Sequence, residues 1–144
     1  HITQPSAEGA ARAMKAALAD GRVPQGGIGY INAHGTGTTA NDITESAAIR
    51  CVFGREAEKI AVSSTKSMHG HALGAAGAVE GAATLLAIKH GLLPPTANLT
   101  ELDSQCNVDV VANTARPGEV EYALSNSFAF GGLNAVVAFR RAGS

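Results

Sequence analysis

Short apolar, β-prone runs alternate with helix-patterned segments along the first part of this sequence, and the alternation limits the folds open to the chain. The runs "IGYINAH" (28–34) and "KIAVSST" (59–65) have the length and residue types of buried strands. Helical patterns precede, separate and follow them. This order favours parallel strands covered by helices, because a parallel crossover needs a connection of about helical length.

The segment "QPSAEGAARAMKAALADG" (4–21) predicts the first helix. Ser6 is placed to cap it, Glu8 lies at the positive end of its dipole, and Gly21 is placed to end it. Apolar residues at helical spacing form a stripe expected to face the core: Ala10, Met14, Ala17 and Leu18.

Two further helices are predicted. Asp42 and Glu45 have the spacing of a capping box before "ITESAAIRCVFG", which ends at Gly54, and Cys51 is expected to pack there as a small hydrophobe. The segment "AGAVEGAATLLAIKHG" predicts a long apolar helix in which Glu80 is the only acidic residue. We expect this helix to be buried on most sides.

The C-terminal part predicts strands instead of helices. "NVDVV" is a short strand candidate, and "VEYALSNSFAF" and "LNAVVAFRR" flank the pair Gly131-Gly132 as an antiparallel hairpin would. With the earlier parallel strands, this gives an α/β layered fold with a mixed sheet. No repeat or linker divides residues 1–144, so we predict a single domain.

Composition narrows the function classes. The formal net charge of the 144 residues is −1 and no Lys/Arg cluster stands out, so we expect no nucleic-acid or membrane partner. Cys51 and Cys106 have no metal or disulfide spacing, which predicts reduced thiols. No apolar run reaches transmembrane length and we expect no signal peptide, so we predict a cytoplasmic protein. Because the sequence begins at His1 instead of Met, we expect that something precedes it.

The turn "NAHGTGTTAND" follows the first predicted strand. His34 stands at the carboxyl end of that strand, where open α/β sheets place ligands. Glycines keep the backbone accessible, and Thr36 and Thr38 offer hydroxyls. The turn lacks the ending of a phosphate-binding loop, so plain turn chemistry is an equal alternative.

The turn "STKSMHGHALGAAG" brings Lys66 and His71 to the same edge of the sheet. A helix N-terminus and a nearby lysine both disfavour imidazolium, so we expect a neutral His71 that donates a hydrogen bond. Glu80 needs a partner if buried, which predicts a Lys66–Glu80 pair; an exposed Glu80 is the alternative. His69 could form a metal clip with His71 and His34, but no suitable carboxylate or cysteine accompanies them.

The turn "SNSFAFGGLNA" is the third candidate. One interpretation is a hairpin with core aromatic residues. The other is a mobile loop whose backbone amides and rings face a ligand.

These three motifs, in this order, resemble the C-terminal half of a β-ketoacyl-acyl carrier protein synthase, from about Ile2 to Arg141. The similarity is to the elongating type I/II condensing enzymes, with a nodulation-type or polyketide-type member as an alternative. The resemblance implies the thiolase fold, of which this chain would be the second half with a five-stranded mixed sheet.

The resemblance also implies a reaction. In that family an acyl chain is held on a cysteine, malonyl-carrier protein loses carbon dioxide, and the enolate attacks the acyl thioester. The matched histidines are His34 and His71, and two neutral N–H donors suit a decarboxylation that builds negative charge on oxygen. Lys66 would support them and pair with Glu80.

Other positions follow from the same match. Thr36 and Thr38 would bind the phosphopantetheine arm of the acyl carrier protein, and Phe130, with Phe128 beside it, would supply an oxyanion-hole N–H and a gate. No cofactor is required. Some members hold a structural monovalent cation, which the resemblance allows here near Asn32, Glu80, Ser125 and Asn126. The full-length protein would be a homodimer in the cytoplasm.

The sequence departs from the family pattern at three positions. Ala129 replaces a common glycine in the gating loop, Leu133 a common threonine, and His69 a common Thr, Val or Ile. An added methyl at Ala129 restricts the loop backbone, so substrate chain length stays open.

The nucleophilic cysteine of the family lies in the other half, and neither cysteine here matches it. We therefore expect these residues alone to be inactive and to expose apolar surface. A non-catalytic partner resembling chain-length-controlling subunits of the same fold is the alternative function.

Overall fold

A computed structural model describes residues 3–24 and 26–143. His1 and Ile2, where the resemblance was taken to begin, lie outside the described residues. In chain order the helices and strands are α1 Ala7–Asp20, β1 Ile28–Asn32, α2 Thr39–Phe53, β2 Ala61–Ser63, α3 Lys66–His69, α4 Ala76–His90, β3 Leu92–Leu93, β4 Asp109–Val110, β5 Arg116–Pro117, β6 Tyr122–Ala129 and β7 Leu133–Arg140. Short 3₁₀ turns span Gly54–Lys59, Leu73–Ala75 and Phe130–Gly132.

The main sheet is mixed and has five strands in the order β4-β2-β1-β6-β7. β4, β2, β1 and β6 are parallel, and β7 pairs antiparallel with β6 through the predicted hairpin. The predicted fold class is therefore confirmed. The carboxyl ends of β1, β2 and β6 meet at one edge, which carries the turns singled out in the sequence.

Helices cover the two faces of this sheet differently. α1 and α2 pack on one face against inward side chains such as Ile31 and Leu124, in a core that also holds Met14 and Ile49. Strand alternation turns Tyr30 and its neighbours to the other face. There α4 contributes Ala87 and Ile88. The sheet is thus a middle layer between helices.

The outer side of α4 is exposed, so the expectation that this helix is buried on most sides is wrong for this chain. Val79, Leu85 and Leu86 are 41%, 49% and 54% exposed, whereas Glu80 and Thr84 face the sheet and are fully buried. Described residues supply nothing to cover the apolar outer side. This agrees with the expectation that the chain exposes apolar surface.

The start of α2 also differs from its prediction. Thr38 is the N-cap, its hydroxyl accepting a bond from the Asn41 amide, and the helix begins at Thr39 instead of near Asp42. Glu45 cannot complete a capping box because its carboxylate bonds elsewhere. Cys51 is exposed on this helix instead of packing as a small hydrophobe. By contrast, Ser6 caps α1 as predicted.

Three small features were not predicted. α3 occupies the turn after β2, and a 3₁₀ turn separates it from α4. β3 and β5 form a separate antiparallel pair.

Within the described ranges, no helix has the length and apolarity required to cross a bilayer.

The packing predicts that the stability of the fold depends strongly on Ile31, which is fully buried between the sheet and its helices. Replacing Ile31 with Ala in the full-length protein should lower the free energy of unfolding by about 2–5 kcal/mol, because a cavity remains. Chemical denaturation measures this. The exposed Lys15→Ala variant is the control and should stay within about 0.5 kcal/mol of wild type; equal effects of the two changes would contradict the described core.

Candidate active site

The predicted histidines lie together at the carboxyl edge of the parallel strands. His34 follows β1, and His71 follows α3. Their ring centroids are 5.6 Å apart, with the rings edge to face at 83°. The ring of Phe128, from β6, lies 5.8 Å from that of His34. Three turns far apart in sequence therefore meet at one place.

An open cavity of about 1180 Å³ lies in front of these rings. Its lining includes most of the residues that the sequence singled out: His34, Thr36, Thr38, His71, Ser125, Phe128, Ala129, Phe130 and Leu133. Lys66 and Glu80 do not line this cavity. The cavity can therefore admit a ligand to both imidazoles without contact with the charged pair.

The ring of His71 has a defined hydrogen-bond direction. The Leu73 amide donates to His71 Nδ1 over 3.1 Å, so in a neutral ring the proton lies on Nε2. The ring itself is exposed. His71 lies two residues before the 3₁₀ turn Leu73–Ala75, which runs directly into α4 at Ala76.

His34 is held as a neutral imidazole. The residue is 8% exposed, and burial is the main cause that lowers its pKa to about 4. The positive charge of Lys66, and that of His71 when its ring is protonated, act in the same direction. Its Nδ1 is buried and has no hydrogen-bond partner among the described residues. The ring is therefore a neutral donor at physiological pH.

Glu45 fixes the backbone of the His34 turn, a role that sequence reasoning missed. Its carboxylate accepts hydrogen bonds from the amides of His34 and Gly35, each at 2.9 Å, and from Asn126 Nδ2 at 3.0 Å. Burial raises the pKa of Glu45, and these donors oppose that rise. In the sequence, Glu45 was recognisable only as an acidic residue near the start of the helix that follows the turn.

Gly35 permits that turn. Its φ is +39°, and a Cβ there would overlap the side chain of Ser64 on the neighbouring strand end. The Ser64 hydroxyl in turn donates to the Gly35 carbonyl over 2.6 Å. Any larger residue would therefore force a shift of Ser64 or of the turn.

The Lys66–Glu80 pair is confirmed. Lys66 Nζ lies 2.5 Å from Glu80 Oε1, and the side chains are 5% and 0% exposed. Neither charged group has another hydrogen-bond partner among the described residues. Asn32 ties the same region together, since its Nδ2 lies 3.2 Å from the Glu80 carbonyl and 3.2 Å from the Thr65 hydroxyl.

The four residues named for a monovalent cation do not form a side-chain cage. Asn32 Oδ1 already accepts from Thr65, and the Glu80 carboxylate faces Lys66. Asn126 lies on the opposite face of the sheet, bonded to Glu45, whereas Ser125 pairs in register with Asn32. The four side chains therefore do not converge on one point that could hold a cation.

The Thr36 and Thr38 hydroxyls lie 3.0 Å apart at the rim of the cavity. Because Thr38 also caps α2, its hydroxyl has a structural role as well. Phe130 is 75% exposed in the turn between β6 and β7, so it is not a core aromatic residue, while Phe128 packs partly against the core. Leu133, which is 74% exposed, lies at the other end of that turn.

The two cysteines lie in different environments. Cys51 is exposed on α2. Cys106 is buried in the loop before β4, and burial raises the pKa of its thiol, with Asp103 and Asp42 acting in the same direction. Across residues 3–24 and 26–143, no three His, Cys, Asp or Glu side chains are placed to hold a metal ion, and His69 instead bonds to Thr65 and Gly70.

Comparison with known proteins gives a consistent family. The sequence profile described as "Beta-ketoacyl synthase, C-terminal domain" matches residues 1–100. Nodulation protein E of Rhizobium sp. (strain N33) is 52% identical over 98% of this chain. The 3-oxoacyl-[acyl-carrier-protein] synthase 2 of Synechocystis sp. is 49% identical, also over 98% of this chain. The chain spans only 35% and 34% of these relatives, about a third of their length.

Similar solved structures indicate the same family. The ishigamide ketosynthase/chain length factor superposes with a TM-score of 0.95 and 47% identity, covering 99% of this chain and 35% of that chain. A type II PKS acyl-carrier protein in complex with its ketosynthase gives a TM-score of 0.92 and 39% identity, covering 97% of this chain and 35% of that chain. These similarities confirm that the fold is the C-terminal part of a ketosynthase.

His34 should titrate well below the ordinary pKa of a histidine. Because its pKa in the folded state is about 4, below the ordinary 6.5, its contribution to stability is present above pH 6.5 and is lost as the pH falls towards 4. NMR titration of ¹⁵N-histidine-labelled full-length protein measures this, with His34→Gln assigning the signal. A His34 midpoint near 6.5 would contradict the described burial.

The buried ion pair predicts an asymmetric response to substitution. Lys66→Met alone should destabilise the full-length protein by about 3–5 kcal/mol, because Glu80 is left charged and unpaired. The double variant Lys66→Met/Glu80→Leu should recover much of that loss. Unfolding midpoints measure both, and a double variant less stable than Lys66→Met would count against the pair.

Proposed function

The chain belongs to the β-ketoacyl synthase family, of which it contains the C-terminal domain, and from that premise we propose that the full-length protein is a 3-oxoacyl-[acyl-carrier-protein] synthase. It would catalyse decarboxylative Claisen condensation of malonyl-carrier protein with an acyl thioester. The residues described here would supply the decarboxylation half of the site. Alone, they would lack a nucleophile and be inactive.

The observation that carries the proposal is the pair of imidazoles facing one open cavity, 5.6 Å apart. Decarboxylation breaks the bond between the malonyl carboxylate and its α-carbon, carbon dioxide leaves, and the electron pair moves onto the thioester oxygen as an enolate. Two neutral N–H donors, from His34 and His71, would stabilise that oxygen. A lowered His34 pKa keeps its ring in the neutral form that this step requires.

The enolate carbon would then attack the carbonyl of the acyl thioester, and the cysteine thiolate would leave as the new carbon–carbon bond forms. The Phe130 amide would stabilise the oxyanion of that step, and the Phe130 and Phe128 rings would gate the acyl pocket. The exposed position of Phe130 at the cavity supports this assignment. The nucleophilic cysteine would come from the remaining two thirds of the protein.

Binding residues are proposed at the rim. The Thr36 and Thr38 hydroxyls would hydrogen-bond the phosphopantetheine arm, and their place on the cavity lining supports this. The partner would be an acyl carrier protein, supported by the solved ketosynthase that holds one. Following the family, we propose a cytoplasmic homodimer in fatty acid or polyketide-like synthesis, with no resident cofactor.

A non-catalytic subunit resembling a chain length factor is the second candidate. It is favoured by the 47% identity to a solved ketosynthase/chain length factor. The intact histidine pair and the buried Lys66–Glu80 pair favour the catalytic subunit, since a subunit without chemistry has no need of them. Sequencing the protein upstream of His1 separates the two, because only the catalytic subunit needs a nucleophilic cysteine there.

Replacing His34 or His71 with Ala in the full-length protein should reduce malonyl-carrier protein decarboxylation by about 10²–10³-fold, as expected when an oxyanion donor is removed. Release of labelled carbon dioxide measures this. His90→Ala, at the exposed end of α4, is the matched control and should keep wild-type activity. Retained activity in either site variant, with an unchanged unfolding midpoint, would contradict the proposed role.

A further inference from the structure

His69 is the histidine of the turn 64–77 that the proposed mechanism does not use. It ends α3, two positions before His71, and its side chain is exposed. Both ring nitrogens are nevertheless engaged. Nδ1 lies 2.8 Å from the Gly70 carbonyl oxygen, and Nε2 lies 3.2 Å from the Thr65 hydroxyl. An exposed ring held at both nitrogens requires an explanation.

The direction of these bonds follows from the chemistry of the partners. The Gly70 carbonyl can only accept, so Nδ1 carries a proton. In the neutral ring Nε2 then accepts from the Thr65 hydroxyl, whose oxygen accepts from Asn32 Nδ2 at 3.2 Å. In the imidazolium form Nε2 donates to Thr65, and the Thr65 hydroxyl turns to Asn32 Oδ1 at 3.3 Å. The bond to Gly70 persists in either form.

The inner end of this chain of hydrogen bonds is rigid. Thr65 is 1% exposed and Asn32 is fully buried, and Asn32 also donates to the Glu80 carbonyl. The His69 ring therefore connects a fixed, buried network to the surface peptide that leads into His71.

The peptide at the outer end has little else to hold it. Gly70 has φ 78° and ψ 179°, and no other residue would touch a Cβ placed there. Its amide donates to the Lys66 carbonyl at 2.8 Å, which fixes only the preceding peptide. The peptide joining Gly70 to His71 is thus held at its carbonyl by His69.

We propose that His69 is a positioning residue for His71: its ring holds the Gly70 carbonyl and so fixes the direction in which the His71 side chain leaves the turn. The effect on catalysis rests on the proposed function, whereas the effect on the turn does not. His69 itself touches no reacting atom. Losing it would leave His71 present but free to move away from the position it holds 5.6 Å from His34.

Two variants of the full-length protein separate positioning from bulk. His69→Phe keeps the ring and removes both hydrogen bonds. His69→Asn keeps an amide N–H close to the place of Nδ1 and loses the bond to Thr65. We expect His69→Phe to lower kcat for malonyl decarboxylation by about tenfold and to leave KM within about twofold of wild type. The reason is that sub-ångström misplacement of a catalytic group lowers the rate directly. His69→Asn should restore most of the lost kcat. His69→Gln replaces the Phe variant if that variant does not fold.

Amide exchange of Leu73 provides a readout that does not depend on activity, because this amide donates to His71 Nδ1. It should exchange faster in His69→Phe than in wild type or His69→Asn. Wild-type kcat in His69→Phe, equal losses in both variants, or unchanged Leu73 exchange would each overturn the proposal. If the wild-type protein does not decarboxylate malonyl thioesters, the proposed function fails, and Leu73 exchange alone then decides whether His69 positions His71.

Discussion

The candidate site depends on one buried ion pair, between Lys66 and Glu80. Removing two such charges from water costs several kcal/mol for each ion, and only close contact offsets that cost. The pair joins the first residue of α3 to the inner side of α4, and so fixes both ends of the turn that carries His71. It also places a positive charge near His34, which together with burial keeps that ring neutral.

A second buried acidic side chain, that of Glu45, fixes the position of His34. Glu45 lies on the other face of the sheet and gathers the backbone amides of the His34 turn, with Asn126 as a further donor. The two histidine turns are therefore placed by two separate buried acidic side chains, Glu80 and Glu45.

Local sequence patterns predicted the features that local forces decide. The Ser6 cap, the hairpin at the glycine pair and the order of strands and helices all follow from neighbouring residues. The Lys66–Glu80 pair was predictable because an acidic residue on an apolar helix has few ways to be satisfied. The start of α2 was not predictable, since the Thr38 hydroxyl caps this helix and the Glu45 carboxylate binds backbone amides across the site. The role of Glu45 and the exposed side of α4 depend on partners distant in sequence, which no local pattern contains.

The most direct test of the account is to incubate the full-length protein with malonyl-carrier protein and an acyl-primed carrier protein, and to follow the carrier-bound products by mass spectrometry. The proposed activity predicts a 3-oxoacyl chain, lengthened by the carbons that malonyl retains after losing carbon dioxide. Malonyl and acyl carrier proteins that remain unchanged, with a folded protein whose upstream cysteine is intact, would contradict it.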